Sequence, residues 1–395
     1  MPVLTGLDRL REDAFSCLRG EVLGLLCHPA SVDSNLNHVL ELMDGAGLDI
    51  QVVFGPEHGV SGSAQDMESI NSGFSSTAHA PVSTRRLISL YGDSLESLRP
   101  SADMVEGLSV LVVDLQDVGS RYYTFAVTMR YCMEVCAKAG VRVVVLDRPN
   151  PLGGLTVEGP VLGQEPRSFV GGFGVPVRHG LTMGELAMLA TREGVDVELQ
   201  VISMKGWNRG MWFDDTGLEW VLPSPNMPTL ETAIVYPGSC LIEATNLSEG
   251  RGTTRPFEFV GAPWIDSSAL ASNMNSAGLT GVRFRPTSFR PMFQKHARQD
   301  CHGVQIHVLD RKEFQPFRCG VILLDELRRQ NQELFQWRSQ PYEFVKDPPA
   351  LDLLTGSDEL RMLLEQGGDT RSVLSRWEKQ SSEFAQAIQD SFLYD

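Results

Sequence analysis

Val110-Leu-Val-Val-Asp114 runs straight into Leu-Gln116-Asp117-Val-Gly119-Ser120-Arg121-Tyr122-Tyr123, and Val141-Arg-Val-Val-Val145 leads through Leu146 into Asp147-Arg148-Pro149-Asn150. Short unbroken runs rich in β-branched residues mark strands covered on both faces. Two more lie upstream, Val22-Leu-Gly-Leu-Leu26 and Ile50-Gln-Val-Val-Phe54. Helical stretches separate them: Ser34 to Gly45 opens on a polar residue and closes at glycine, and Tyr123 to Gly140 closes the same way. Strand alternating with helix predicts an α/β fold, a Rossmann-like doubly wound parallel sheet.

In such a sheet, ligands sit beyond the carboxyl ends of the strands. Three strands here end in dense polar clusters, the second of them in Gly55-Pro56-Glu57-His58-Gly59. Gly, Pro, Asn and Asp favour turns for backbone reasons alone. Three such tips on one edge still make a candidate site, with Glu57, His58, Asp114, Gln116, Arg121, Tyr123, Arg148 and Asn150 as its polar residues.

The chain has 395 residues, which at roughly 150 per domain suggests two or three domains. Hydrophobic residues make up 42% and charged residues 21%, so a disordered chain is excluded. The formal charge of −16 repels phosphate backbones and anionic lipid, which argues against nucleic-acid or membrane partners. Seven scattered cysteines without a CxxC motif give no zinc or thioredoxin pattern and suit a reducing compartment. The N-terminus lacks the basic-then-apolar layout of a secretory signal, and no window approaches the ~18 apolar residues of a membrane span. A cytoplasmic protein is expected, or a periplasmic or secreted one if a leader has been removed.

Between about 150 and 265 the chain is rich in glycine and proline, with one clear helix from Thr182 to Gly194, opened by a Thr182–Glu185 capping box. Beyond Asp266 a helix, strands near Val282–Arg285 and Val304–Val308, and terminal helices including Arg371 to Phe392 predict a smaller α+β domain. The expected division is thus 1–265 and 266–395.

No phosphate fingerprint is present. The first strand ends in Cys27-His28-Pro29-Ala30, with neither G-x-G-x-x-G nor a Walker motif, and G-x-S-x-G is missing as well. No ligand set with metal spacing is visible, so neither metal nor organic cofactor is expected. Two loops are over-specified: Pro223-Ser-Pro-Asn226-Met-Pro-Thr229, and Asn246-Leu-Ser-Glu249-Gly-Arg251-Gly-Thr-Thr-Arg255-Pro-Phe-Glu258. Asn226, Asn246, Glu249 and Arg251 join the binding candidates from these loops. Arg251 and Arg255 beside glycine amides suit a carboxylate or sugar hydroxyls, and equally suit ion pairs within the loop.

FGPEHGV, DLQDVGSRYYTF, VLDRPNPLGG with VEGP, HGLTMGELA, PSPNMPT, SEGRGTTRPFE and CHGVQIHV, in this order, resemble the exo-β-N-acetylmuramidase (NamZ-type) family. The likeness runs from Thr5-Gly-Leu-Asp8 to about residue 320 and weakens beyond. It implies a Rossmann-like domain joined to a second domain with a cleft between them. It also implies cofactor-free hydrolysis that frees N-acetylmuramic acid from the non-reducing end of peptidoglycan fragments, so disaccharides or muropeptides are the implied partners. Within that likeness the catalytic pair falls on Glu57 and Glu134. One carboxyl would protonate the leaving oxygen while the other activates water or attacks the anomeric carbon. On the helical wheel Glu134 lies opposite the Phe125, Met129, Cys132 and Cys136 face, with Arg130 and Lys138 four residues away, and an ion-pair ladder accounts for it equally well.

Cys27-His28 departs from the small polar residues the family suggests after the first strand. Muramic acid differs from glucosamine by a lactyl carboxylate, so a protein of this charge needs a local cation. Arg251 is favoured over Arg121 and Arg148 for that role, and pairing with Glu249 or Glu258 is the alternative. Two other functions remain to be tested, a muropeptide-binding module without turnover and a Rossmann-type transferase.

Overall fold

The computed structural model describes residues 2–62, 64–65, 68, 85–163 and 167–395. Contacts divide the chain into two compact units. The first comprises Met1–Thr156, Gly180–Pro225 and Ile388–Asp395; the second comprises Val157–His179 and Asn226–Ala387.

The first unit is built on a six-stranded parallel sheet of β1 (Val22–Cys27), β2 (Asp49–Gly55), β3 (Arg86–Ser89), β4 (Val110–Asp114), β5 (Arg142–Leu146) and β6 (Leu199–Ile202). Its order is β3-β2-β1-β4-β5-β6, every neighbouring pair parallel. This is the doubly wound order, with the direction of winding reversing between β1 and β4, where such sheets bind ligands. The four strands expected from the apolar runs are present. β3 and β6 are short and only partly buried, and lack the apolar signature of the other four.

Helices α1 (Val39–Gly45), α2 (Phe125–Ala139) and α3 (Met183–Arg192) follow the strands. The helix expected from Ser34 begins five residues later, because Asp33 accepts hydrogen bonds from the Asn35 and Asn37 amides and holds the chain in a turn. α2 ends at Gly140, whose φ of 69° is left-handed, and the Thr182–Glu185 capping box opens α3. One face of the sheet packs Leu25, Val53, Val112 and Val144 with Leu7, Leu10, Val39 and Met43.

The second unit holds a three-stranded antiparallel sheet, β7 (Phe259–Ala262), β8 (Val282–Phe289) and β9 (Cys301–Val308), in the order β7-β9-β8. The boundary expected at 265 falls inside this unit, because β7 pairs along its length with β9. Helix α4 (Leu230–Ser239) lies in the stretch expected to hold only the Thr182 helix; Pro237 within it masks its helical pattern. Further helices are α5 (Ser267–Ser276), α6 (Pro316–Gln330), α7 (Ala350–Thr355) and α8 (Thr370–Ala387), with the short helix Glu359–Glu365 between the last two; α8 ends five residues earlier than expected.

Candidate active site

Glu57 follows β2 at the carboxyl edge of the sheet and is buried, at 6% exposure. The next residue, His58, takes a left-handed φ of 70° and Gly59 one of 74°, so the chain doubles back directly after the glutamate. A non-glycine residue in that conformation costs some free energy. His58 is anchored through Nδ1 to the Ala64 carbonyl at 2.9 Å. The Thr124 hydroxyl donates to Glu57 Oε2 at 2.6 Å. Thr124 is the residue before α2 and makes no side-chain cap for that helix. The carboxylate therefore stands at the helix N-terminus, where the backbone dipole favours negative charge.

Glu134 is elsewhere. It lies ten residues beyond Thr124 on α2, about 15 Å along the axis at 1.5 Å per residue. Its oxygens are taken by Arg130 Nε at 3.2 Å and by Arg99. The structure brings the Thr124 hydroxyl to Glu57 and gives Glu134 ion pairs with Arg130 and Arg99.

The β4 and β5 tips interlock. Arg148 grips Asp114 with Nε and Nη2 and donates from Nη2 to the Val32 carbonyl at 2.9 Å. The Gln116 amide donates to the Asp117 and Pro149 carbonyls at 2.8 and 2.9 Å. Asp117 Oδ2 accepts the Gly119 N–H at 2.6 Å. Gly119, with φ 79°, lies so close to Asn150 that a Cβ would stand 2.5 Å from its Oδ1. Asn150 in turn donates to the Leu181 carbonyl at 2.9 Å. Arg121 and Tyr123 are buried in the same loop, and burial lowers the Arg121 pKa to about 10. A small pocket of about 20 Å³ is lined by Ala30, Val32, Ser34, Gln116, Arg148 and Phe213.

His28, the departure after β1, is wholly buried against Phe125, edge to face at 4.9 Å. Its Nε2 accepts the Gln116 N–H at 2.9 Å. Burial first, then the Arg148 charge, holds its pKa well below the ordinary value, so the ring is neutral and stays an acceptor. This side chain locks the β1 tip to the β4 tip at the point where the sheet reverses.

In the second unit the candidates are bound within the fold. Asn246 donates to the Leu334 carbonyl at 2.8 Å and accepts from the Gln336 amide at 3.0 Å. Arg251 donates to Glu243 Oε1 at 2.6 Å, with Glu249 3.5 Å away, and Lys295 pairs with Glu249 at 2.9 Å. Pairing with Glu249 is one of the two expected alternatives; Glu258 instead takes Arg255 and the Thr232 hydroxyl. Asn226 is buried in this unit. Glu243 and Lys295 were not legible as partners, since they lie eight and forty-four residues from Arg251 without a shared motif. Among the described residues, no group of three or more His, Cys, Asp or Glu side chains is placed to hold a metal, and no helix is long and apolar enough to cross a membrane.

A doubly wound sheet with a buried glutamate after β2 and an Arg148–Asp114 pair beyond its reversal point, in a chain with a second unit built on a small antiparallel sheet, defines a two-unit α/β protein. This chain belongs to the exo-β-N-acetylmuramidase NamZ family: the family's N-terminal model matches residues 23–231 and its C-terminal model residues 234–394. It is 40% identical over 394 residues to the peptidoglycan β-N-acetylmuramidase NamZ of Bacillus subtilis strain 168, covering 99% of this chain and 91% of that protein. Two crystal structures of DUF1343 family proteins from Bacteroides fragilis NCTC 9343 share the fold. One is 32% identical with a TM-score of 0.86, the other 26% identical with a TM-score of 0.76; each comparison covers 100% of this chain and 99% of the other.

Proposed function

We propose that this chain is an exo-acting β-N-acetylmuramidase, a glycoside hydrolase that frees N-acetylmuramic acid from the non-reducing end of peptidoglycan fragments in cell-wall turnover and recycling. The observation that carries the reading is Glu57, buried at a strand tip, bonded to Thr124 and seated at a helix N-terminus in a chain that matches the family through both halves.

Glu57 exchanges the proton with the glycosidic oxygen, and Thr124 fixes which way its carboxyl faces. For the second role we assign Asp117 instead of Glu134. β2 and β4 are two strands apart, about 10 Å at ~4.8 Å per strand, near the upper end of the roughly 6.5–9.5 Å between carboxyls that leaves room for an attacking water. His58, Gln116, Arg121, Tyr123, Arg148 and Asn150 bind the sugar or support those that do. The seven cysteines are all free thiols, six of them buried, which supports a cytoplasmic site of action on internalised fragments.

Incubation with a muramic acid–glucosamine disaccharide tests the reading by product analysis. Free N-acetylmuramic acid is the expected product. Tight binding without cleavage would make the chain a binding module, and cleavage only with added nucleotide would make it a transferase.

A further inference from the structure

The residues that follow α8 return to the sheet unit and settle on it. The Phe392 ring lies under the Arg209 guanidinium, 3.5 Å from its centre. The Leu393 N–H donates to Glu185 Oε1 at 3.0 Å, beside the Arg209 ion pair to the same oxygen at 2.7 Å. Tyr394 meets Trp207 edge to face at 5.0 Å. Its hydroxyl accepts the Met204 N–H at 2.9 Å and donates to Asp147 Oδ2. Asp147 is wholly buried and stands between β5 and Arg148. It also accepts from the Gly184 N–H at 2.7 Å, the Thr182 hydroxyl at 2.8 Å and the Arg148 N–H at 3.0 Å. A Cβ on Gly184 would stand 2.8 Å from the Asp147 carboxyl carbon, so helix α3 approaches this carboxylate as closely as glycine permits.

We propose that Tyr394 is a positioning residue for the hydrolytic reaction: it fixes the Asp147 carboxylate, and through it the Arg148–Asn150 tip that faces the substrate. The inference rests on the reading of that tip as part of the active site. Three of Asp147's four donors, from Thr182, Gly184 and Arg148, belong to the sheet and its own connections; the fourth reaches it from 247 residues away. A carboxylate buried this deeply stays ionised only while its donors stay in place. Burial raises its pKa to about 6, Tyr394, Gly184 and Thr182 oppose that rise, and Glu185 adds to it. Glu185 is itself neutralised by Arg209, and Arg148 is taken by Asp114. Loss of the Tyr394 hydroxyl therefore moves the titration of Asp147 upward, so that more of it is protonated near pH 6 and the tip loosens there.

The experiment uses the full chain with Tyr394→Phe, Asp147→Asn, the double variant and Glu57→Gln, assayed on a chromogenic N-acetylmuramide across pH 5 to 9. Tyr394→Phe keeps the ring and its packing. It should reduce kcat/KM roughly three- to tenfold near pH 6, less near pH 8, with the acid limb of the profile moved to higher pH. In the Asp147→Asn background the same change should add nothing. A wild-type rate and pH profile for Tyr394→Phe overturns the proposal, as does an equal loss at all pH values with and without Asp147. Glu57→Gln separates the two levels of the argument. If it remains active the site itself is misassigned; if it is inactive while Tyr394→Phe is silent, only the positioning role fails.

Discussion

The Thr124 hydroxyl bonds to Glu57 at 2.6 Å and leaves the helix that follows it without a side-chain cap. A threonine in that position ordinarily satisfies a backbone N–H of the first turn, worth about 1 kcal/mol to the helix. Here the hydroxyl serves the glutamate instead. Thr124→Val should cost little in melting temperature, because no cap is lost, yet lower kcat about ten- to a hundredfold, since a hydrogen bond to a charged group contributes about 1.5–3 kcal/mol. Thr124→Ser should stay near wild type. Glu57→Gln should lose about 10²–10⁴-fold with its fold intact. Steady-state kinetics beside thermal melts would check all three.

Glu134 and Asp117 exchange expectations. Glu134 is partly exposed and paired with two arginines, of which Arg99 is itself half exposed. Such pairs contribute about 0–1 kcal/mol, so Glu134→Gln should change turnover by less than threefold. Asp117→Asn should cost at least a hundredfold if Asp117 activates the water. An Asp117→Asn enzyme with full turnover would hand that role to the substrate's own acetamido group.

Arg251 is buried against Glu243 and Glu249. Removing one partner of a buried pair strands the other and costs about 3–5 kcal/mol. Arg251→Ala should therefore lower the melting temperature and reduce hydrolysis of chromogenic N-acetylmuramide and N-acetylglucosaminide in equal proportion. A loss confined to the muramide would show that Arg251 reads the lactyl carboxylate.

Glu243 also carries a pH signature. Burial alone raises its pKa, but Arg251, the Tyr342 hydroxyl at 2.7 Å and Lys295 together pull it below the ordinary 4.5. A carboxyl depressed by folding adds stability above its unfolded pKa and loses it as pH falls through the folded one. Tyr342→Phe should thus destabilise the chain by about 1–2 kcal/mol at pH 7, with the difference fading below about pH 4.5. Denaturant melts of the two proteins at pH 7 and pH 4 would measure it.

Exhaustive chelation should leave the hydrolytic rate unchanged, since paired carboxyls suffice for this chemistry. A rate lost to chelator and restored by a single divalent ion would turn the Asp114–Asp117 tip into a metal site.

The sheet was legible in sequence because β1, β4 and β5 are buried almost end to end and β2 is buried from Val52 on, so these stretches are apolar runs. β3 and β6 stand at the edges, carry mixed residues and leave no such trace. Glu57 was visible as a charged residue in a glycine-bounded turn. Thr124 was not, because a threonine before a helix already has a sufficient reason to be there. Glu185 misled in the same way. Its capping box is real, but its second oxygen holds Arg209 and Leu393, contacts no local pattern encodes. The second unit was the least legible, since β7 and α4 lie in a stretch whose glycines and prolines suggest loop.

His28 fills the place where sheets of this winding usually leave the first turn open for a pyrophosphate. The buried imidazole ties the β1 tip to the β4 tip through the Gln116 N–H and packs on Phe125. Compounds built around a diphosphate should find no such loop here, whereas a sugar mimic with a cationic nitrogen at the anomeric position would meet the Glu57 carboxylate. Inhibitor discovery against this protein should therefore begin from iminosugar chemistry and need not fear cross-reaction with the cell's dinucleotide enzymes.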